Sequence, residues 1–263
     1  MTAPSAVHRL APVRAVHVVV PARNEELLLP GALAALRRAV DRLALTHPAV
    51  DVDVTVVLDA CTDATPEVVA AAPWVRALTV SSGTVGAARS AGVESADVYK
   101  DTDTDTDEPS PTGPAGPGTV WIASTDADSR VPADWLSVQV DLADDGADLV
   151  LGTVQPDPAD TSPAQLAAWH RRHELDEGHP YVHGANLGIR LATYRAAGGF
   201  GAGAAHEDVR LARRARATGA TVVATDRIRV TTSGRGTGRA PAGFAGYVRS
   251  LDPRLPYPGP SSA

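Results

Sequence analysis

The sequence predicts an α/β fold with a Rossmann-like, mostly parallel central sheet flanked by helices. Short β-branched runs alternate with helical patterns through the first half of the chain, and this alternation is typical of right-handed βαβ units. The runs are continuously apolar, as expected for strands buried on both faces. Polar clusters follow several of them, at the strand ends where open α/β sheets bind ligands.

The first strand and helix are the clearest elements. Ala15–Pro21 (AVHVVVP) is a short β-branched run that stops at a proline. Apolar residues then recur at steps of three and four, which predicts a helix with one apolar face. These residues are Leu29, Leu33, Leu36, Val40 and Leu43.

The next units repeat this pattern. Val52–Asp59 is a second buried strand, and Thr65-Pro66-Glu67 supplies a cap residue, a proline at the first helical position and an acid in the first turn. The segments ALTV, TVWIAST and ADLVLG predict three further strands. VGAARSAGVESA predicts a helix between the first two of these, and another helix is expected from about Pro132.

After residue 160 the pattern predicts a smaller, more helical region. Ser162–Gln165 is a capping box with proline at the first helical position. Helices are expected over Glu207–Thr218 and Pro241–Ser250. TVVAT and IRVTT are expected to be two short strands between them.

These elements predict one domain over residues 15–250, with tails at 1–14 and 251–263. Asp97–Gly118 is rich in Asp, Thr, Pro and Gly, which predicts a flexible surface loop. A calcium-binding EF-hand starting at Asp101 is disfavoured, because Thr106 and Thr112 stand where glycine and glutamate are needed.

Composition narrows the functional class. A net charge of −7 disfavours a general nucleic-acid-binding surface. The single cysteine, Cys61, excludes an intrachain disulfide and fits a reducing compartment. Neither a bilayer-spanning apolar run nor a signal-peptide pattern is evident, so we expect a cytoplasmic protein without an integral membrane segment.

Several nucleotide and hydrolase motifs are missing. The chain has no glycine–lysine pair for a phosphate loop, and PARNEE stands where a G-x-G-x-x-G fingerprint would follow the first strand. A G-x-S-x-G elbow and zinc-binding Cys/His spacings are also absent. The sequence therefore disfavours a P-loop NTPase, a standard NAD enzyme and an α/β-hydrolase.

Asp126 and Asp128 follow the strand TVWIAST. Residues i and i+2 of an extended segment point the same way, so both carboxylates can face one target. Mg²⁺ and similar hard cations bind through few protein oxygens and share the rest with substrate phosphates. A metal site is the favoured interpretation; an Asx-turn that caps the following helix is the alternative.

Other polar residues fit a nucleotide-using site. Asp59 ends the second strand and either caps a turn or accepts a base N–H. Arg23 either forms a local ion pair or reaches a phosphate or base. Glu207 and Asp208 begin a helix, where they complement its dipole or supply a general base.

Gly184-Ala185-Asn186 is interpreted as too small and polar to be core. His170 and His173 share a helical face, and packing is favoured there over metal binding. Trp169, His179, Tyr181 and His183 are candidates for shaping an acceptor pocket.

Taken in order, these motifs resemble one family. PARNE follows strand one, DACTDAT follows strand two, GAARSAG lies on a helix and TDADS follows strand four; GAN and ED come later. The pattern, from Val16 to Ala215, resembles the family 2 glycosyltransferases of GT-A fold. That resemblance implies a non-processive, inverting hexosyl transfer from a UDP- or GDP-sugar to a hydroxyl of a small or soluble acceptor, with Mn²⁺ or Mg²⁺ as cofactor.

The resemblance also implies residue roles. Asp128, with Asp126, would bind the metal; Asp208, with Glu207 beside it, would be the catalytic base; and Gly184, Ala185 and Asn186 would border the donor sugar and acceptor. The residues implied to bind the donor nucleotide are Pro21, Arg23, Glu25, Asp59, Arg89 and Asp126.

Two departures from the family pattern stand out. The histidine that often supplies a further metal ligand after the ED helix is missing from IRVTTSGRGTGR, which leaves Thr232, Ser233 or water for that position. Arg235 and Arg239 in this loop are candidates for a diphosphate clamp; a mobile basic segment is an equal alternative. The Q-x-x-R-W motif of processive synthases is also absent, which favours addition of a single sugar.

Two alternatives stay open on the sequence. A nucleotidyltransferase is disfavoured because PARNEELLLPG lacks the glycine-rich loop with a basic residue that such enzymes carry after strand one. A non-catalytic sugar-nucleotide-binding protein fits the missing histidine, although all three key aspartates are present.

Overall fold

A computed structural model describes residues 11–96, 116–203, 205–235 and 244–251. Its strands are β1 (Ala15–Ala22), β2 (Asp51–Asp59), β3 (Arg76–Val80), β4 (Val120–Ser124), β5 (Ser129–Arg130), β6 (Leu149–Pro156), β7 (Leu187–Arg190) and β8 (Val222–Thr232). Its helices are α1 (Leu29–Thr46), α2 (Thr65–Ala70), α3 (Val85–Glu94), α4 (Trp135–Asp144), α5 (Pro163–Arg172), α6 (Leu191–Ala196), α7 (Glu207–Ala217) and α8 (Phe244–Ser250).

The strands of the described residues form one sheet in the order β3-β2-β1-β4-β7-β6-β8-β5. β1 pairs in parallel with β2 and β4, and β2 pairs in parallel with β3. β7 is antiparallel to β4 and β6, and β5 is antiparallel to β8. The predicted mostly parallel α/β sheet is confirmed, and the carboxyl ends of β1, β2 and β4 lie along one edge.

The core has a layer on each face of this sheet. Val16, Val18 and Val20 of β1 pack in one buried cluster, and Val19 packs in the other. Both faces of β1 are therefore buried, which is why valines stand on both sides of the strand rather than alternating with exposed polar residues. On the second face α3 lies close to the strands at Gly92, where a Cβ would stand 2.5 Å from a methyl group of Val19.

The later half of the chain differs in detail from the sequence prediction. TVVAT and IRVTT are one strand, β8, because an irregularity in its pairing with β6 between Gly152 and Val154 lets it continue. The short elements β5, β7 and α6 were not predicted. α4 begins at Trp135 rather than Pro132, and α8 begins at Phe244 within the described residues.

Thr65 was predicted to cap α2, but the helix begins at Thr65 itself and Ala64 is the cap residue. The Thr65 hydroxyl instead accepts a hydrogen bond from the backbone N–H of Glu25, at 2.7 Å. Thr65 therefore connects the loops that follow β1 and β2.

The ends of the predicted domain are also packed. Val13 and Leu251, assigned to the two tails, are buried. The carbonyl of Gly118, at the end of the predicted loop, accepts a hydrogen bond from Arg190. Residues 97–115 of that loop lie outside the described residues. None of the described helices combines the length and apolar character needed to cross a bilayer.

Candidate active site

The loops after β1 and β2 are joined at the carboxyl edge of the sheet. The Asn24 side chain bonds both the backbone and the hydroxyl of Thr62, and Glu26 accepts from the backbone N–H of Ala64 at 2.8 Å. Asn24 and Ala60 both adopt left-handed backbone conformations, with φ of 55° and 51°. Such residues often occur at functional sites, and here they turn both loops toward the same edge.

Asp126 and Asp128 lie at this edge, directly after β4. The chain makes a tight turn in which Ser129 N–H bonds the carbonyl of Asp126. It then enters β5, where Ser129 pairs with Thr232 of β8. Asp126 and Asp128 do not cap the next helix, α4, because its cap residue is Asp134. The short β5–β8 pairing therefore brings the end of β8 to Asp128.

Arg235 links two acids across the site. Its guanidinium bonds both carboxylate oxygens of Glu25, and it donates to Oδ2 of Asp128 at 3.1 Å. The hydrogen bonds that Arg235 donates to Glu25 raise the pKa of Arg235. The segment before Arg235 is held by Asp160, which accepts from the Ser233 hydroxyl and from Gly234 N–H.

Asp128 stands in an excess of negative charge. Burial, followed by the nearby Asp126 and Glu25 carboxylates, raises its pKa to about 6. Arg235 and Thr232 oppose this shift. A cation placed at Asp128 is therefore favoured electrostatically.

Arg89 makes a second cationic link, between Asp126 and Glu207. It is only 3% exposed and donates to Asp126 and to Glu207. Burial alone would lower the pKa of Arg89, but Asp126, Glu207 and Asp208 raise it. Gly184 lies against the guanidinium, where a Cβ would stand 2.6 Å from Arg89 Cζ.

The burial of Arg89, Glu207 and Glu25 is a feature that the sequence did not predict. Arg89 and Glu25 were expected to line the nucleotide pocket and Glu207 to take part in catalysis. All three are buried, each in an ion pair with a neighbour in the site. These ion pairs connect Asp126 to Glu207 through Arg89, and Glu25 to Asp128 through Arg235.

Asp208 is placed differently from its neighbour Glu207. It is partly exposed, and its Oδ2 accepts the backbone N–H of Gly184 at 2.7 Å. His206 begins this segment in a left-handed conformation, with φ of 59°, and α7 starts directly after it. Asp208 therefore lies in the first turn of α7.

Gly184, Ala185 and Asn186 form a buried 3₁₀ turn, so the interpretation that they are too polar for the core is wrong. The Asn186 side chain donates to the carbonyls of Thr153 and Ile228 and accepts from the Trp135 indole. Its amide is thus bonded to three other segments of the chain. The tight turn instead places Gly184 N–H against Asp208.

Replacing Asn186 with alanine is expected to lower the free energy of unfolding by at least about 2 kcal/mol, because three buried polar groups lose their partner. Urea denaturation measures this change. Gln155→Ala is the control, since Gln155 is half-buried and makes one long hydrogen bond, to Thr231. Equal losses in the two variants would contradict the structural role of Asn186.

The remaining donor-side residues lie along the same edge. Asp59 accepts from the backbone N–H groups of Ser82 and Gly83 through Oδ1, and no described residue bonds its Oδ2. Arg23 is exposed beyond the end of β1, and Pro21 is half-buried within it. Of these three residues, Arg23 and Pro21 keep exposed surface at this edge, whereas Asp59 is buried.

The described residues contain no cluster of three or more His, Cys, Asp and Glu side chains able to hold a metal ion. Of the two hydroxyl candidates, Thr232 donates to Asp128 at 3.3 Å, whereas Ser233 bonds Asp160. Arg239 lies outside the described residues. Sequence reasoning missed Asp160, which carries no motif and is recognised only by its contact with the end of β8.

Comparison with known families identifies the chain. The model of glycosyl transferase family 2 matches residues 17–194, about two thirds of the sequence. The chain belongs to glycosyl transferase family 2. Comparison of this glycosyltransferase with curated proteins found no match.

Solved glycosyltransferase structures share its GT-A fold. Residues 1–349 of TarS from S. aureus superpose with a TM-score of 0.57 at 15% identity, covering 83% of this chain and 60% of TarS 1–349. The mannosyltransferase PcManGT from Pyrobaculum calidifontis, in complex with GDP-Man and Mn²⁺, has a TM-score of 0.57 at 19% identity, covering 92% of this chain and 63% of its own.

Glucosyl-3-phosphoglycerate synthase from Mycobacterium tuberculosis, in complex with Mn²⁺, UDP and phosphoglyceric acid, has a TM-score of 0.52 at 17% identity. The match covers 90% of this family 2 chain and 77% of the synthase. This chain therefore spans between three fifths and four fifths of the length of these three structures.

Proposed function

We propose that this glycosyltransferase moves one sugar from a UDP- or GDP-sugar to a hydroxyl of a small or soluble acceptor, with inversion. Asp128 and Asp126 hold a divalent metal ion, and Asp208 is the general base. The observation that carries the proposal is the meeting of these three aspartates at one edge of the sheet, around the cationic links made by Arg89 and Arg235.

The acids fit a divalent ion. Asp126 and Asp128 are both partly exposed. Burial, and then the nearby Asp126 and Glu25 carboxylates, raise the pKa of Asp128, and those two carboxylates favour a bound cation. Two protein carboxylates suffice for Mg²⁺-type sites, in which substrate phosphates and water complete the coordination. The ion would neutralise charge that develops on the leaving nucleoside diphosphate. Structures of similar fold bound to Mn²⁺ support this choice.

The donor is proposed to lie across the ends of β1, β2 and β4. Asp59 Oδ2 is available to accept a base N–H, since only Oδ1 is used by the turn at Ser82. Arg23 is exposed at the end of β1 and can reach a phosphate. Arg235 can pass from Asp128 to the diphosphate, because a guanidinium binds phosphate in the same two-pronged way as carboxylate.

Asp208 is proposed to take the proton from the acceptor hydroxyl. The Gly184 N–H holds one of its oxygens at the start of α7. Gly184, which bonds Asp208, also lies against the Arg89 guanidinium that donates to Asp126, so Asp208 is near the Arg89–Asp126 link. A base on the acceptor side, opposite the leaving diphosphate, corresponds to a single displacement with inversion.

A non-catalytic sugar-nucleotide-binding protein is the second candidate. It is favoured by Arg235, which already compensates Asp128 where the family often has a histidine ligand. The two candidates make different predictions for Asp208. A transferase loses turnover when Asp208 is replaced, whereas a binding protein has no turnover for the replacement to lower.

Thermal shift with UDP, GDP and dTDP, with and without Mn²⁺, tests donor and metal binding. At a nucleotide concentration 100 times Kd we expect stabilisation by about 2.7 kcal/mol, which corresponds to roughly 5–10 °C for a chain of this size. Asp128→Ala is expected to abolish the Mn²⁺-dependent part, because it removes the main metal ligand.

Asp176→Ala is the matched control, since Asp176 is an exposed aspartate outside the site, and it should keep the full shift. Absence of a shift with every nucleotide would reject both the transferase and the binding protein. A full Mn²⁺-dependent shift in Asp128→Ala would remove Asp128 from metal binding.

A further inference from the structure

The guanidinium of Arg235 is a cation that the chain itself holds against Asp128. Its Nη1 donates to Oε2 of Glu25 at 2.9 Å, and its Nη2 donates both to Oε1 of Glu25 and to Oδ2 of Asp128. The Arg235 side chain is 32% exposed, whereas that of Glu25 is 3% exposed. Arg235 therefore lies at the edge of the site, with one acid below it and the proposed metal ligand beside it.

The two acids hold Arg235 with different strength. Glu25 accepts two parallel hydrogen bonds, which is the strong, two-pronged form of this pair. Asp128 accepts a single bond of 3.1 Å from an Nη2 that already serves Glu25. Glu25 is itself fixed, because its backbone N–H donates to the Thr65 hydroxyl at 2.7 Å. The bond to Asp128 can thus be exchanged while the pair with Glu25 is kept.

The backbone that carries Arg235 is held in place. Asp160 accepts from the Ser233 hydroxyl at 2.6 Å and from the Gly234 N–H at 2.8 Å. A Cβ at Gly234 would overlap the Thr161 hydroxyl, so the chain packs closely here. The Arg235 N–H in turn donates to the Ser233 hydroxyl at 3.3 Å. An exchange at Asp128 therefore needs movement of the Arg235 side chain only.

Arg235 and a divalent ion answer the same electrostatic need. The carboxylates of Asp126 and Glu25 both act on Asp128, and a nearby positive charge compensates them. Two cations at hydrogen-bonding distance from one carboxylate repel each other. Phosphate oxygens accept from a guanidinium in the same two-pronged way as carboxylate oxygens. A diphosphate beside Asp128 therefore offers Arg235 a second acceptor.

We propose that Arg235 and the divalent ion compete for Asp128, and that Arg235 moves its Nη2 donor from Asp128 to a phosphate oxygen of the bound nucleotide while Glu25 anchors it. This inference rests on the metal site of the proposed function. It makes Arg235 a coupling residue: the ion and a nucleoside diphosphate assist each other's binding, whereas a nucleoside without phosphate gives no such assistance.

Titration with Mn²⁺ tests the coupling, with the free ion measured by electron paramagnetic resonance alone, with UDP and with uridine. UDP should tighten Mn²⁺ binding by about tenfold or more, and uridine should not. Arg235→Met should tighten binding of Mn²⁺ alone by about tenfold or more, because the competing charge is gone. In that variant UDP should add less, since its phosphates have lost the guanidinium.

Arg229→Met is the matched control. Arg229 lies on β8, its side chain is 34% exposed and it pairs with Asp226, so its loss should leave Mn²⁺ binding unchanged with and without UDP. Arg235→Lys keeps the charge but not the two-pronged bond to Glu25, and its effect should lie between those of the unmodified chain and Arg235→Met. Equal tightening of Mn²⁺ binding by Arg235→Met with and without UDP would overturn the exchange, because Arg235 would then act only through its charge.

Arginine labelled with ¹⁵N gives a readout in the unmodified chain that does not depend on the methionine variant folding. The guanidinium resonances of Arg235, assigned from Arg235→Lys, should shift when UDP and Mg²⁺ are added together and stay in place with uridine and Mg²⁺. Unshifted resonances while UDP and the metal bind would overturn the inference and leave the proposed function standing. If the unmodified chain bound neither UDP nor Mn²⁺, the proposed function would fail and the inference with it.

Discussion

Asp208→Asn is expected to lower turnover by about 10²–10⁴-fold, the usual contribution of a general base, while nucleotide binding stays unchanged. The amide oxygen of asparagine can still accept the Gly184 N–H, so the 3₁₀ turn should be kept. Asparagine cannot take a proton from the acceptor hydroxyl. Single-turnover transfer from a radiolabelled sugar nucleotide measures the chemical step, and thermal shift with UDP and Mn²⁺ measures binding.

Glu207→Gln provides a comparison at the adjacent position. It removes one negative charge from the buried pair with Arg89, so its main effect should be on stability. If Asp208→Asn retained full turnover, Asp208 would not be the base. If both variants lost nucleotide binding together, the defect would lie in the fold of the site.

Arg89→Met is expected to lower the free energy of unfolding by about 3–5 kcal/mol, the cost of breaking a buried ion pair. The change leaves the charge of the buried Glu207 carboxylate without the cation that compensates it. It also releases Asp126, which should weaken Mn²⁺-dependent nucleotide binding. Chemical denaturation and thermal shift measure the two effects.

Arg37→Met is the control for loss of an arginine. Arg37 is exposed and pairs with Asp41 one helical turn away, so the loss should be below about 1 kcal/mol. Arg89→Lys keeps the charge but not the two-pronged geometry and should fall between the two. A loss in Arg89→Met no larger than in Arg37→Met would contradict the linking role.

Much of the fold was predictable because strand and helix periodicities are local. β1, α1 and β2 follow from apolar patterns within single segments. The short elements β5 and β7, of two and four residues, have too few positions to show a period. β8 was divided into two strands because its irregular middle interrupts the alternation of apolar residues.

The site was predictable in location rather than in contacts. Asp126 and Asp128 were placed at the correct edge because parallel strands align their carboxyl ends. Glu25, Arg89 and Glu207 were interpreted from motif position alone, and motif position carries no information on burial. Asn186 was misread for the same reason, since only its three buried partners reveal that it belongs to the core.

By itself the sequence determined the α/β order of elements, the family motifs and which aspartates end at the sheet edge, because each depends on neighbouring residues. Tertiary structure alone decided how those acids are compensated. Arg235 and Glu25 are 210 residues apart in the chain, and Arg89 and Glu207 are 118 apart. Ion pairs between residues so far apart in the sequence depend on how the whole sheet folds, and no local pattern of charge encodes them.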